Sequence, residues 1–276
     1  MDHMTGPMIS DAMEEQTKRF GAEVKLNEPV VSVDLESEPK IVKTEKGEYH
    51  ANSIIIASGS EHNKLHVPGE EENWGKGVSY CAVCDGAFFK DRKVVVIGGG
   101  SSACEEGNFL TKFASKVTLI HRRDSLRAER ILQERFKANP KTEIIWDTVV
   151  ESINGGVLGV ESVNLKNTKT GETSTLEAEG VFIYVGLKPN VEYLNDALKL
   201  DENGKIVSTI KMETNIPGVF VAGDVRDTVL KQAVTAASDG SLAATMAIAH
   251  VEALEHEHKT KAESEKEALD RKSYSV

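Results

Sequence analysis

The chain has 276 residues, enough for one large domain or two of ordinary size, with room for full hydrophobic cores. Its composition is globular, 39% hydrophobic and 28% charged, and no stretch reaches the roughly 18 apolar residues a membrane helix needs. A formal net charge of -11 argues against nucleic-acid partners, since little here would neutralise a phosphate backbone.

Residues 8–20 place Ile9, Ala12, Met13 and Phe20 near one helical face, which predicts an amphipathic helix stopped by Gly21. Strand-like runs follow at 23–26, 30–35 and 41–44, with a hairpin turn at Lys46-Gly47-Glu48. Residues 53–57 are continuously apolar, as in a strand buried on both faces, and Ser58-Gly59-Ser60 ends them. From Lys93 the pattern becomes strand 93–97, helix 101–113, strand 116–120 and helix 125–138, a βαβα unit of parallel-sheet type. After Pro140, runs at 142–146, 149–153, 160–167 and 173–179 predict an inserted antiparallel meander. Buried strands are expected at 181–186 and 219–224, and a closing helix over 231–254. The tail 255–276 mixes acids and bases with few apolar residues and reads as frayed or disordered.

Three cysteines are too few for a secreted disulfide scaffold, and Met1-Asp2-His3-Met4 lacks the layout of a signal peptide, so a cytoplasmic protein is expected. In a reducing compartment the pair in Cys81-Ala82-Val83-Cys84-Asp85 reads as catalytic or metal-binding. A structural zinc site needs four ligands, and Cys104, explained by packing, is the one other cysteine, so no metal is expected. Thiol–disulfide exchange needs a thiolate nucleophile and a protonated leaving group. The Asp85 carboxyl group can supply that proton, or it can merely cap a turn.

Gly98-x-Gly100-x-x-Ala103 follows a strand and opens a helix, the context that makes a dinucleotide fingerprint credible. One glycine permits the tight turn, the next lets amides approach a pyrophosphate, and the small third residue allows close helix–strand packing. An NAD site usually carries an acid at the end of the following strand. Here that strand ends in His121-Arg122-Arg123-Asp124-Ser125-Leu126-Arg127. Three guanidiniums suit a 2′-phosphate and point to NADPH; the alternative is a solvated basic face paired with Asp124, Glu129 and Glu134. His121 reads as a packing or hydrogen-bonding residue.

On these motifs the chain resembles the low-molecular-weight thioredoxin reductases. Cys81-Ala82-Val83-Cys84-Asp85-Gly86 is similar to their redox motif, Gly98 to Ala103 with Ser102 to their NADPH loop, and His121-Arg122-Arg123 with Arg127 to their 2′-phosphate clamp. Ile55-Ile56-Ala57-Ser58-Gly59 resembles the family's crossover segment. Val221-Ala222-Gly223-Asp224 and Lys231-Gln232-Ala233 resemble its C-terminal flavin motif. The resemblance implies an α/β, three-layer Rossmann-like FAD/NAD(P)-binding fold. An NADPH domain (64–184) carrying the CxxC pair would be inserted into an FAD domain (1–63 and 185–254), with a charged tail at 255–276. It implies FAD and NADPH as cofactors, Cys81, Cys84 and Asp85 as catalytic residues, thioredoxin or a similar disulfide protein as partner, and a homodimer. Cys81 would then be the interchange thiol and Cys84 the one nearer flavin, while Asp224 would bond the ribityl chain and Gln232-Ala233 face the isoalloxazine ring. Domain rotation would alternately present the dithiol to flavin and to the partner, with Gly59 and Gly186 near the two crossovers. The family begins with its own strand–GxGxxG–helix–strand unit for FAD, which the residues before Met8 do not supply. An incomplete chain is therefore the expectation, with an open sheet edge beside Ile54-Ile55-Ile56. Two relatives of this reading are the flavoprotein subunit of alkyl hydroperoxide reductase and an NADPH-binding module without turnover.

Overall fold

The computed structural model describes residues 5–273; the opening tetrapeptide Met1-Asp2-His3-Met4 and the end of the tail, 274–276, lie outside them. The chain divides into two compact units, Met1–Ser60 with Pro189–Val276, and Glu61–Lys188.

The first unit opens with helix α1 (Gly6–Arg19), capped by Thr5, whose hydroxyl accepts from the Met8 amide, with Lys18 and Arg19 in its last turn. The expected apolar face is present, but Met8, Ile9, Met13 and the adjoining Phe20 are all exposed. The strand expected at 23–26 is irregular chain, because no neighbour pairs with it. Strands β1 (Val30–Asp34), β2 (Lys40–Thr44) and β3 (Glu48–Ala51) form an antiparallel sheet in that order. The turn at 44–47 is closed by the Thr44 amide donating to the Gly47 carbonyl at 2.9 Å. Strand β4 (Ile54–Ile56) differs from its expectation: Ile56 is buried, but Ile55 is 39% exposed. Side chains alternate across a strand, so Ile56 enters the core of this unit with Ile54 packed against it, while Ile55 projects from the other face. Strand β5 (Ser60–His62) then leads out of the unit.

The second unit holds β6 (Val78–Ser79), the short helix α2 (Ala82–Asp85), β7 (Lys93–Gly98), α3 (Ser101–Leu110), β8 (Lys116–Ile120), α4 (Arg130–Ala138) and β9 (Thr142–Ile145). A meander of β10 (Thr148–Gly156), β11 (Gly159–Asn167) and β12 (Thr173–Glu177) follows, then β13 (Gly180–Tyr184). The sheet order is β6-β13-β7-β8-β9, parallel throughout. Alternate residues of β7 explain its unbroken apolar run. Val94 and Val96 pack with Ala103, Leu110 and Phe136 on the helical side, and Val95 and Ile97 pack with Val150, Ile153 and Val163 of the meander. The result is three layers, helices on sheet on meander.

Two segments differ from expectation. Residues 142–146 do not begin the meander: β9 runs parallel to β8, with Leu119 opposite Ile144. The Thr142 hydroxyl donates to the Phe136 and Asn139 carbonyls at the end of α4 and turns the chain back onto the sheet. Helix α4 begins at Arg130 and not at Ser125, because the amides ahead of it are engaged elsewhere. Arg127 and Ala128 donate to the Gly99 carbonyl, and Glu129 donates to the Ser101 hydroxyl.

Strand β14 (Leu187–Pro189) pairs with β5 where the chain returns to the first unit. There β15 (Val219–Val221) lies parallel to β4, over a core of Leu35, Ile56, Leu194, Ile206 and Val225. Helix α5 (Ala233–Ser273) runs on well past Leu254, so the segment expected to be frayed is helical as far as it is described. No glycine or proline follows Gly240, and Glu255/Lys259 and Glu257/Lys261 fall at helix-supporting spacing.

Candidate active site

Cys81 and Cys84 form a disulfide, with Cα atoms 5.3 Å apart. Cys81 caps α2: its sulfur accepts from the Cys84 amide at 3.1 Å. Asp85, on the same turn, accepts a 2.6 Å hydrogen bond from the Ser79 hydroxyl, and that hydroxyl oxygen accepts from the Cys81 amide at 3.1 Å. Ser79 thus ties the carboxylate to the cysteine that opens the turn. The Ala82 amide donates to the Tyr184 hydroxyl at 2.8 Å. Cys84 is exposed and Cys81 half-buried, so a partner can reach the pair. The third cysteine, Cys104, is free and fully buried in α3, and burial pushes its thiol up, as suits a packing residue.

Gly98 ends β7 and Ser101 starts α3, with Gly100 as its cap. The three glycines differ physically. A Cβ on Gly98 would stand 2.5 Å from the Tyr184 carbonyl oxygen and 2.8 Å from the Ala103 Cβ, and one on Gly99 would strike the His121 ring. A Cβ on Gly100 would meet nothing within 4 Å. Gly98 is therefore required by the fold, with Ala103 fully buried behind it, while Gly100 leaves open space at the amides of the loop. Ser102 is exposed in the first turn of α3. His121 Nδ1 donates to the Gly98 carbonyl at 2.7 Å, which makes it a support of the loop.

Arg122, Arg123 and Arg127 are all exposed, and among the described residues none of them makes an ion pair. Two of the nearby carboxylates are engaged elsewhere. Asp124 pairs with Lys169 at 3.2 Å, which lowers its pKa, and Glu134 pairs with Arg130 at 2.7 Å. An open cradle of amides followed by three uncommitted guanidiniums fits a dinucleotide that carries an extra phosphate.

The remaining sequence-derived residues belong to the first unit. Gly59 has φ +70° with open space where a Cβ would stand, and Gly223 has φ +75° at the start of a 3-10 turn. Asp224 is half-buried, and its carbonyl accepts from the Ser60 hydroxyl at 2.7 Å. Lys231 is held below the usual lysine range by burial and by its neighbour Lys205. Gln232 precedes α5 and Ala233 begins it, and Val229, Leu230 and Val234 around them are exposed. A half-buried acid, apolar surface and the open space at Gly59 fit the ribityl and ring portion of a flavin. Among the described residues, β7–α3 is the one glycine-rich strand-to-helix turn.

Two residues of this site were not legible in the sequence. Tyr184 stands opposite Gly98 in the β13–β7 register and holds the Ala82 amide, while Glu106 of α3 faces Ala82, Val83 and Tyr184. Neither lies in a motif; the packing of α3 on α2 and the register of β13 bring them to the redox turn.

The model of the pyridine nucleotide-disulphide oxidoreductase family matches residues 3–240. The thioredoxin reductase of Peptoclostridium acidaminophilum is 46% identical over 255 residues, covering 90% of this chain and 80% of that protein. That of Bacillus subtilis (strain 168) is 46% identical over 259 residues, covering 94% and 82%. The crystal structure of thioredoxin reductase from Streptococcus pyogenes MGAS5005 superposes with a TM-score of 0.85 at 44% identity, covering 92% of this chain and 82% of that one. With motifs, fold and relatives in agreement, the chain belongs to the pyridine nucleotide-disulphide oxidoreductases and, within them, to the thioredoxin reductases, enzymes that use FAD and NADPH.

Proposed function

We propose that Cys81 and Cys84 are the exchanging pair of this reductase, and that their dithiol reduces the disulfide of thioredoxin or a thioredoxin-like protein. The observation that carries this reading is the position of Tyr184. It pairs with Gly98 of the nucleotide loop and accepts from Ala82 of the redox turn, so both functions are built on one sheet of one unit.

In this reading Gly98, Gly100, Ser102 and Ala103 receive the NADPH pyrophosphate, and Arg122, Arg123 and Arg127 its 2′-phosphate. Gly59, Gly223, Asp224, Lys231, Gln232 and Ala233 hold the flavin. When bound, the two cofactors supply the reducing equivalents that open the disulfide. Cys81 then attacks the partner disulfide, Cys84 resolves the mixed disulfide, and Asp85, oriented by Ser79, gives a proton to the departing sulfur. The division at 60/61 and 188/189 supports an NADPH domain over 64–184 inserted into a flavin domain of 1–63 and 185–254. Gly59 and Gly186, both at positive φ, lie beside those crossovers and suit a hinge. We place the enzyme in the cytoplasm as a homodimer: a reducing compartment suits a catalytic CxxC pair, and the family resemblance supports the dimer. No helix among the described residues is long and apolar enough to cross a membrane.

The test is NADPH oxidation with thioredoxin by the flavin-loaded chain and by its Cys81→Ser and Cys84→Ser variants. Both substitutions should bring turnover to background while NADPH still binds. A rate unchanged by either would end this assignment.

A further inference from the structure

Glu106 lies on α3, three residues past Ala103, and the motifs leave it without a role. Its carboxyl group faces the main-chain amides of Ala82 and Val83 and the Tyr184 hydroxyl, and Oε2 is buried without a hydrogen-bond partner among the described residues. Burial, with the Glu105 carboxylate beside it, pushes Glu106 above the ordinary glutamate range. Of the first amides of the redox turn, Ala82 donates to the Tyr184 hydroxyl at 2.8 Å and Cys84 to the Cys81 sulfur at 3.1 Å, while the Glu106 carboxyl group lies toward Ala82 and Val83.

We infer that Glu106 is a positioning residue that sets the proton balance of the reduced Cys81–Cys84 pair, acting through the amides of Ala82 and Val83. The inference rests on these two cysteines being the exchanging pair. Reduction puts two electrons into the S–S bond and breaks it. Two protons are taken up if both sulfurs become thiols, and one if a single sulfur remains thiolate. A Cys81 thiolate and a Glu106 carboxylate draw on one short run of N–H dipoles, so each makes the other's negative charge more costly. Protonated Glu106 leaves those dipoles to sulfur and favours the thiolate; ionised Glu106 favours the thiol. The other titratable groups facing this cluster are Glu105 on α3, Tyr184 on β13 and Asp85 on α2, whose charge reaches Tyr184. Burial and the Glu106 charge push Tyr184 far up, so it stays a neutral hydroxyl across the working range.

The experiment compares the full chain with Glu106→Gln, which keeps shape and removes charge. Both are reduced with dithiothreitol, desalted and alkylated with iodoacetamide from about pH 5 to 9, with Cys81 and Cys84 followed by peptide mass. The reactive cysteine should show its midpoint lowered by roughly one pH unit. Its rate below the midpoint should rise about threefold once the weaker nucleophilicity of a lower-pKa thiolate is included. A profile that superimposes on that of the unsubstituted chain, or moves upward, overturns the inference. If Glu106→Gln does not fold, Tyr184→Phe replaces it: removing a donor from the carboxyl group favours its protonated form, so a smaller downward shift is expected. An unmoved Tyr184→Phe profile then overturns it. Alkylation requires no cofactor or thioredoxin, so it fails separately from the turnover test of the cysteine pair.

Discussion

Arg122, Arg123 and Arg127 illustrate how far the availability of a charged cluster is decided by what neighbouring charges are doing. The basic cluster was legible in the sequence, but its freedom was not, because that depends on Lys169 crossing from another strand connection to take Asp124 at 3.2 Å. Bonds to charged groups contribute about 1.5–3 kcal/mol each, so Arg122→Ala with Arg127→Ala should weaken NADPH binding by roughly two or more powers of ten. NADH binding should stay within about twofold. Fluorescence titration with both nucleotides is the measurement, and an equal loss for both would assign the arginines to the fold. The cysteine pair was equally legible, since its chemistry is local to four residues. Glu106 and Tyr184 were not, because their place at the redox turn comes from the packing of α3 and the register of β13.

Among the elements, the glycine loop separates two demands that a motif merges. Gly98→Ala forces a Cβ to 2.5 Å from the Tyr184 carbonyl oxygen, so it should cost about 1–3 kcal/mol of stability, as other overpacked sites do. Gly100→Ala meets open space at an ordinary φ of -90°. It should melt with the unsubstituted protein yet bind NADPH more weakly, because the methyl group would occupy the approach to the amides. Thermal melts and nucleotide titrations of the two variants test this split; a Gly100→Ala protein with full affinity would refute it. The sheet strands themselves were well marked by continuous apolar runs, and β8 falls at 116–120 as expected. Errors arose where long-range bonds override local pattern. Amides 127–129 are diverted to the glycine loop and delay α4, and β9 is claimed by β8 before the meander can use it. The charged stretch after Leu254 misled for the opposite reason, since hydrophilicity says nothing against a helix whose residues are good helix formers.

For the whole molecule, the second unit has both of its core clusters contained within residues 78–183. A segment of residues 61–188 should therefore fold alone and bind NADPH with an affinity within about threefold of the full chain, a difference below 1 kcal/mol. Circular dichroism melts and fluorescence titration decide it, and an unfolded or non-binding segment would show that the unit depends on the rest of the chain. The first unit is built differently. Its core joins Leu35 and Ile56 to Val219, Val221 and Val225, and the Ser53 hydroxyl reaches the Gly218 carbonyl across 165 residues. Closing so long a loop in a disordered chain carries an entropy cost that grows with its length. Once the inserted unit is folded, the paired β5 and β14 hold its two ends together, leaving a floppy span of roughly forty residues, about two doublings shorter and worth about 1.2 kcal/mol. The inserted unit thereby acts as a clasp in assembly. Its contiguous chain can form as it is synthesised, and only afterwards do the separated halves of the first unit find each other at reduced entropic cost.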